Sequence, residues 1–243
     1  MKIKIRRIHM TFPNATKGVK KLFTAEILKL ISVICLAAGL ISAVLAFVSA
    51  ANKSEAGAGA TAVAAVIFML ASSILIIIGG IIMLVGLVQA GRDEVSFKSA
   101  LICILGEIIA LAIAAIISAN SAAGMSGPVM DLAAAGGSMS LSHLILSIAN
   151  LLITIFIITG VIRLADKLND AGVSNKGGNV LKIIVVVNVL VIIADIIALI
   201  FGANPATAMT CGILLIVALV LQIIQFFMYL SLLNNGKKML ANN

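Results

Sequence analysis

The stretch AVAAVIFMLASSILIIIGGIIMLVGLVQA, residues 62–90, runs its whole length without a charged side chain. About 20 such residues cross the hydrocarbon of a bilayer as a helix, and this run is long enough to tilt or to project beyond it. Five more runs share its character: 27–50, 100–119, 141–165, 181–203 and 211–233. Lipid offers backbone groups no hydrogen-bond partner, so each run must satisfy its own as a helix. The apolar–polar alternation of a membrane barrel is absent.

The rest of the chain agrees with that stretch. Its 243 residues are 62% hydrophobic and 11% charged, with a mean hydropathy of +1.25. A soluble domain carries about twice that charge, so the polar surface needed to cover a soluble core is missing. The reading is an all-α integral membrane protein of six transmembrane helices.

Lys and Arg orient it. Lys2, Lys4, Arg6, Arg7, Lys17, Lys20 and Lys21 crowd the N-terminal arm, with Lys29 at the entrance of the first run. Arg92 and Lys98 follow the second run, Arg163, Lys167, Lys176 and Lys182 surround the fourth-to-fifth connection, and Lys237 and Lys238 lie in the tail. Lys53 alone falls on the opposite side. Both termini are therefore expected in the cytoplasm, with the protein in a plasma membrane of bacterial inner-membrane type. The +8 charge is accounted for by this asymmetry and by anionic lipid facing the N-terminal arm, so no nucleic-acid site is read into it. Cys35, Cys103 and Cys211 fall within or at the ends of spans, which predicts no disulfide framework. Val-Ser-Ala ending at Ala50 resembles a signal-cleavage site, but the preceding run is longer than a signal needs.

A repeat argues more strongly against cleavage. Residues 31–52 (ISVICLAAGLISAVLAFVSAAN) lie without gaps over 99–120 (SALICILGEIIALAIAAIISAN), matching Ile34, Cys35, Ile41, Ala46, Ala51 and Asn52 to Ile102, Cys103, Ile109, Ala114, Ala119 and Asn120. Laying Asp195 over Glu107 adds the fifth helix. The even helices end alike, in LVQAG at 87–91, LNDAG at 168–172 and LNNG at 233–236, and each ending is expected to be a Gly-capped terminus. The chain thus divides into a basic arm over 1–26 and helical hairpins over 27–90, 91–170 and 171–243, three parallel copies of one unit. Small residues at four-residue spacing predict a close-packed face: Ala38, Ser42 and Ala46 on the first helix, Gly106, Ala110 and Ala114 on the third, Ala194, Ala198 and Gly202 on the fifth.

Glu107 and Asp195 each sit one position beyond the first small residue of that stripe. An ionised acid at membrane depth costs several kcal/mol, which drives it toward protonation, a partner or a water-filled cavity. No Lys or Arg is expected deep in a span to pair with either. The neutral candidates are Asn150, Asn188, Gln222 and Gln225, with Ser72, Ser73, Thr154 and Thr159. A functional reading makes the acids a proton- or cation-handling pair; a structural one makes them protonated donors holding helices together.

No phosphate-cradling Gly loop, His-Glu-x-x-His, Gly-x-Ser-x-Gly or zinc-spaced Cys pair occurs. The expectation is no enzyme and no cofactor. Met125, Met130, Met139 and Met209 with His143 could suit Cu(I) chemically, but their spacing forms no motif, so no metal is expected. The leading expectation is a protein that binds or moves a small solute or ion along a polar path containing Glu107 and Asp195. The rival is a non-transporting accessory or scaffold subunit whose small-residue faces dock a protein partner or a second copy.

Overall fold

The computed structural model describes residues 11–51, 55–123, 132–201 and 205–242. Within them lie six α-helices: α1 (Pro13–Ala51), α2 (Glu55–Ala90), α3 (Val95–Ala123), α4 (Leu132–Lys167), α5 (Ala171–Phe201) and α6 (Pro205–Ala241). Among the described residues, α1, α2, α4, α5 and α6 are long and apolar enough to cross a membrane. The described side-chain stretch of α3 is too short to be counted with them.

The helix ends follow from local chemistry. Proline opens both α1 and α6, where the missing N–H is one the helix would leave unpaired anyway and the fixed φ suits the first turn. The basic arm is not separate from the first helix, because α1 is already helical from Pro13. Gly91 follows the last residue of α2, its N–H donating to Leu87 O at 2.8 Å. None of the three expected Gly caps takes the left-handed form, and Gly91 keeps a φ outside that region. Asn169, at φ 55°, turns the chain between α4 and α5, a left-handed conformation that Asn tolerates better than most residues. Gly172 instead lies inside α5, whose start Asp170 caps by accepting from Val173 N–H at 3.0 Å. Gly236 lies inside α6, where a Cβ would come within 3.1 Å of Val161 Cγ1. It is kept small for packing.

Neighbouring helices pack in chain order and α6 returns to α1, closing a ring; α4 and α6 also touch. The core gathers at the end where the α2–α3 and α4–α5 turns and the C-terminus converge, around Leu22, Leu87, Phe97, Ile157, Leu164, Leu232 and Leu233. Burial there follows a seven-residue period. On α5 the buried positions are Val173, Gly177, Val180, Ile184, Val187, Val191 and Ala194, alternating steps of four and three as two gently coiled helices require.

The same period builds the α1–α2 pair, which runs antiparallel. A Cβ on Gly18 would stand 2.5 Å from Gly86 O, and one on Gly79 would stand 3.5 Å from Ala25 O. Ser32 Oγ lies 2.9 Å from Ser72 Oγ, and a Cβ on Gly39 would stand 3.4 Å from Ala65 O. Gly18, Ala25, Ser32 and Gly39 are seven apart on α1, as are Gly86, Gly79, Ser72 and Ala65 on α2. Small side chains at every contact let the backbones touch, and the single buried polar rung fixes the register. Of the four-residue stripe read from sequence on α1, Ala46 falls seven beyond Gly39, on this same seam and near Ala62 and Ala65 of α2; Ala38 and Ser42 are half-buried, and Ser42 Oγ donates to Ala38 O within its own helix at 2.9 Å. Gly106 is exposed with no atom within 4 Å of where a Cβ would be, and Ala110 is half-buried. Ala194 is buried on the α5 seam. The side chains of Ala114 and Ala198, and the whole of Gly202, lie outside the described residues.

The α2–α3 turn locks the packed end. Asp93 accepts from Asn14 Nδ2 at 2.9 Å and from Ala15 N–H at 2.7 Å, placing a carboxylate at the positive end of α1. Buried Glu94 accepts from Lys167 Nζ at 2.5 Å and from Arg163 at 3.4 Å. Burial alone would push its carboxyl up; the hydrogen bond and charge of Lys167, followed by Arg163, outweigh that and hold it below its ordinary value of 4.5. A depressed folded value means the stabilisation is complete above the ordinary value and lost as pH falls through the folded one. The melting temperature of the wild type is therefore expected to drop as pH falls below about 4.5. Glu94→Gln is expected to melt lower at neutral pH and to show a flatter acid limb. Parallel acid limbs in a pH series of melts would refute this.

Candidate functional site

Glu107 continues the inward stripe of α3. Phe97, Ala100 and Ile104 are buried on that stripe and Glu107 is half-buried, while Leu105, Gly106, Ile108 and Ile109 around it are exposed. The spacing of three, four and three carries the acid inward, on the side of α3 away from Gly106. Its helix places it near the middle of α3; Asp195 falls near the far end of α5, so the two acids do not share a level along their helices. The side chain of Asp195 lies outside the described residues.

Lys29 is the basic residue that comes to the level of Glu107 along the bundle. Lys29 lies fourteen residues beyond Ala15 on α1, and Glu107 fourteen beyond Asp93 on α3. Since Asp93 holds Ala15, both side chains rise to one level, about 21 Å above the turn. Lys29 stands at that level on a helix that does not pack directly against α3. Its ammonium donates to Glu26 Oε1 at 2.9 Å and to Met83 Sδ at 3.4 Å. Glu26 is 7% exposed and also acts electrostatically on Tyr229 of α6, which is itself buried. Glu26 and Lys29 of α1 and Tyr229 of α6 thus lie together at the α1–α6 contact, with Glu107 at the same level on α3.

The polar partners proposed from sequence separate into three kinds. Asn150 and Gln222 are exposed, and Asn188 Nδ2 donates to Ile184 O in its own helix at 2.8 Å. Gln225 stands one turn from Tyr229 on α6, its Oε1 buried without a hydrogen-bond partner. Ser72 belongs to the α1–α2 rung. Ser73 Oγ and Thr154 Oγ1 donate to backbone carbonyls four residues back.

The site lies where the bundle parts. Val19, Glu26 and Val33 lie seven apart on the face of α1 toward α6; they are 0%, 7% and 61% exposed. On α6, Gly236 and Tyr229 are buried and Gln222, the next step of seven, is exposed. Val19 approaches Gly236, with Cγ1 3.8 Å from the position of a Cβ there, and Glu26 faces Tyr229. Val33 and Gln222, the next rung, have both lost cover. Beyond Ser32, the one buried α1 residue among those described is Gly39; before Gly79, the buried α2 residues are Ala65 and Ser72. All three belong to the mutual α1–α2 seam, so this part of the hairpin stands away from the other helices. Meanwhile α5 stays buried as far as Ala194 and α6 keeps Ala218 covered.

Below the site the helices are tied. Thr16 Oγ1 donates to Leu240 O at 3.3 Å, and the Lys237 ammonium sits 4.2 Å from the Phe23 ring centroid. Glu26, Lys29 and Tyr229 consequently sit where the packed end gives way to the uncovered part of the α1–α2 hairpin. A carboxylate half-released from packing can hold a proton or a cation. Among the described residues no group of three His, Cys, Asp or Glu side chains could hold a metal ion.

Sequence reading missed Glu26, Lys29 and Tyr229 as site residues. A usable signal was present: Glu26 precedes Lys29 by three positions, a pairing distance on a helix, at the edge of an apolar run. The chain matches no protein-family model, no curated protein and no solved structure.

Proposed function

We propose that the chain is a polytopic membrane protein of three parallel helical hairpins that binds or moves a small solute or ion. Both termini face the cytoplasm of a plasma membrane of bacterial inner-membrane type, and the basic residues at that end meet anionic lipid. Glu107 belongs to the polar path, with Asp195 deeper along it and Gln225 beside it. The reading rests on one observation above all: Glu107 is half-buried on the inward stripe of α3, where packing loosens. A charge-bearing side chain kept there at a cost of several kcal/mol needs a use. Glu107→Gln, nearly isosteric, is expected to leave the protein monodisperse while abolishing solute or ion flux in proteoliposomes. Undiminished flux in that variant would remove Glu107 from the path.

The uncovered half of the α1–α2 hairpin also supports a second reading, an accessory subunit that docks a protein partner or a second copy on that surface. Native mass spectrometry after gentle extraction separates the two. A second polypeptide at fixed stoichiometry favours the subunit, and a lone chain favours the self-sufficient binder.

A further inference from the structure

We propose that the α1–α2 hairpin is a stiff arm that swings as one body on the α2–α3 turn, relative to the unit formed by α3, α4, α5 and α6. The motion goes beyond the functional reading above and does not depend on which residue carries a solute. Two features carry it, the seam within the hairpin and the construction of its foot.

The seam makes the hairpin stiff. Gly18 meets Gly86, Ala25 meets Gly79 and Gly39 meets Ala65 with backbone close against the facing helix, and Ser32 meets Ser72 hydroxyl to hydroxyl. Bending one helix would drive it into the other at the next rung, because close-packed surfaces deform little. Among the described residues, α1 packs on no helix but α2 and α6, and α2 on none but α1 and α3. The ties to α6 lie low on α1: Thr16 donates to Leu240 O at 3.3 Å, Val19 meets Gly236, and Phe23 lies under the Lys237 ammonium at 4.2 Å. Higher on the same face, Val33 and Leu40 are more than half exposed. In lipid no hydrophobic force draws such side chains back onto the bundle.

The foot is built as a pivot. Asp93 and Glu94 are consecutive, yet they grip different bodies. Asp93 accepts from Asn14 Nδ2 and Ala15 N–H, tying the end of α2 to the start of α1 within the arm. Glu94 accepts from Lys167 and Arg163, tying the start of α3 to α4 within the bundle. The chain passes from arm to bundle between these two grips. A few residues at an element's end suffice as a hinge, and turning here leaves the side-chain grip on either side in place. Val44 stands about 27 Å beyond Glu26 along α1. A rigid-body rotation of about 15° at the foot therefore moves it about 7 Å.

Pulsed electron–electron double resonance on the full chain in phosphatidylcholine nanodiscs tests this. Cys35→Ala, Cys103→Ala and Cys211→Ala form the background, and nitroxides are attached in pairs after Val44→Cys, Ile77→Cys, Val186→Cys and Leu219→Cys, four exposed positions. The pair 44 and 77 lies within the arm, 186 and 219 within the bundle, and 44 and 219 spans the two. The spanning distance is expected to be spread more widely than either internal one, by about 7 Å. Lys237→Ala, which removes the cation over Phe23, should widen the spanning distance further and leave the other two unchanged. A spanning distance as narrow as both internal ones overturns the proposal. So does an equally broad distance within the arm, because the hairpin would then not move as one body. The comparison of the three distances stands even if Lys237→Ala fails to fold.

Discussion

Gly18→Val is expected to separate α1 from α2 and to cost at least about 3 kcal/mol of stability, the upper range for overpacking a closed contact. Even the first added carbon would meet Gly86 O at 2.5 Å, Ala90 N at 2.6 Å and Ala90 Cβ at 2.7 Å. Two of these atoms are backbone, so no side chain can swing away to make room; one helix must move. Moving it disturbs the rungs beyond, because Ala25, Ser32 and Gly39 meet α2 along the same seam. The Ser32–Ser72 rung would lose its geometry and leave buried hydroxyls unpaired. Gly80→Ala is the internal control. It stands on the same hairpin with nothing within 4 Å of a new Cβ, so it should be neutral or slightly stabilising through helix propensity alone, by up to about 1 kcal/mol. Melting temperatures in detergent, followed by helicity and by retention of the monodisperse peak, would show the difference. Equal melts for the two variants would mean that the α1–α2 contact is not close.

Phe97→Ala is expected to be comparably severe, about 3–5 kcal/mol for removing a buried aromatic side chain. Phe97 is fully buried one turn above the α2–α3 connection. It lies against Gly160 of α4, where a Cβ would stand 2.7 Å from the ring. No neighbour can fill the space readily, since Gly160 has no side chain to extend into it. The consequence would reach the polar turn below: Glu94, three residues earlier, holds Lys167 and Arg163 of α4, and slackening the α3–α4 contact would loosen that pairing. Thermal unfolding should therefore show a lower melting temperature together with a weakened dependence on acid pH. A Phe97→Ala protein with wild-type acid behaviour would show that the ion pairs hold the turn without the ring.

These expectations also bear on the site. Glu107 shares a stripe with Phe97, and Lys29 shares a helix with Gly18. The packed end acts as the footing that brings both charges to one level. A variant that disturbs the footing should lose flux in proteoliposomes along with stability, whereas Glu107→Gln should lose flux alone.

The sequence by itself determined the class of fold. Runs such as 62–90 are long and apolar enough to cross a membrane, and six such runs appear as six long helices because a backbone in apolar surroundings pairs best within its own segment. It also singled out Glu107, because an acid amid apolar residues is costly wherever the helix finally packs. Only the tertiary structure decided which faces meet. The four-residue stripe of Ala38, Ser42 and Ala46 and the seven-residue seam of Gly18, Ala25, Ser32 and Gly39 are both written in the same helix. In a chain rich in small residues, composition cannot choose between them; the choice belongs to the partner helix, whose Gly86, Gly79, Ser72 and Ala65 repeat with the matching period. Nor could sequence set Lys29 and Glu107 at one level. The two lie far apart along the chain, and their common height depends on Asp93 holding the first turn of α1, because a helix that starts from a fixed point carries each later residue to a fixed rise.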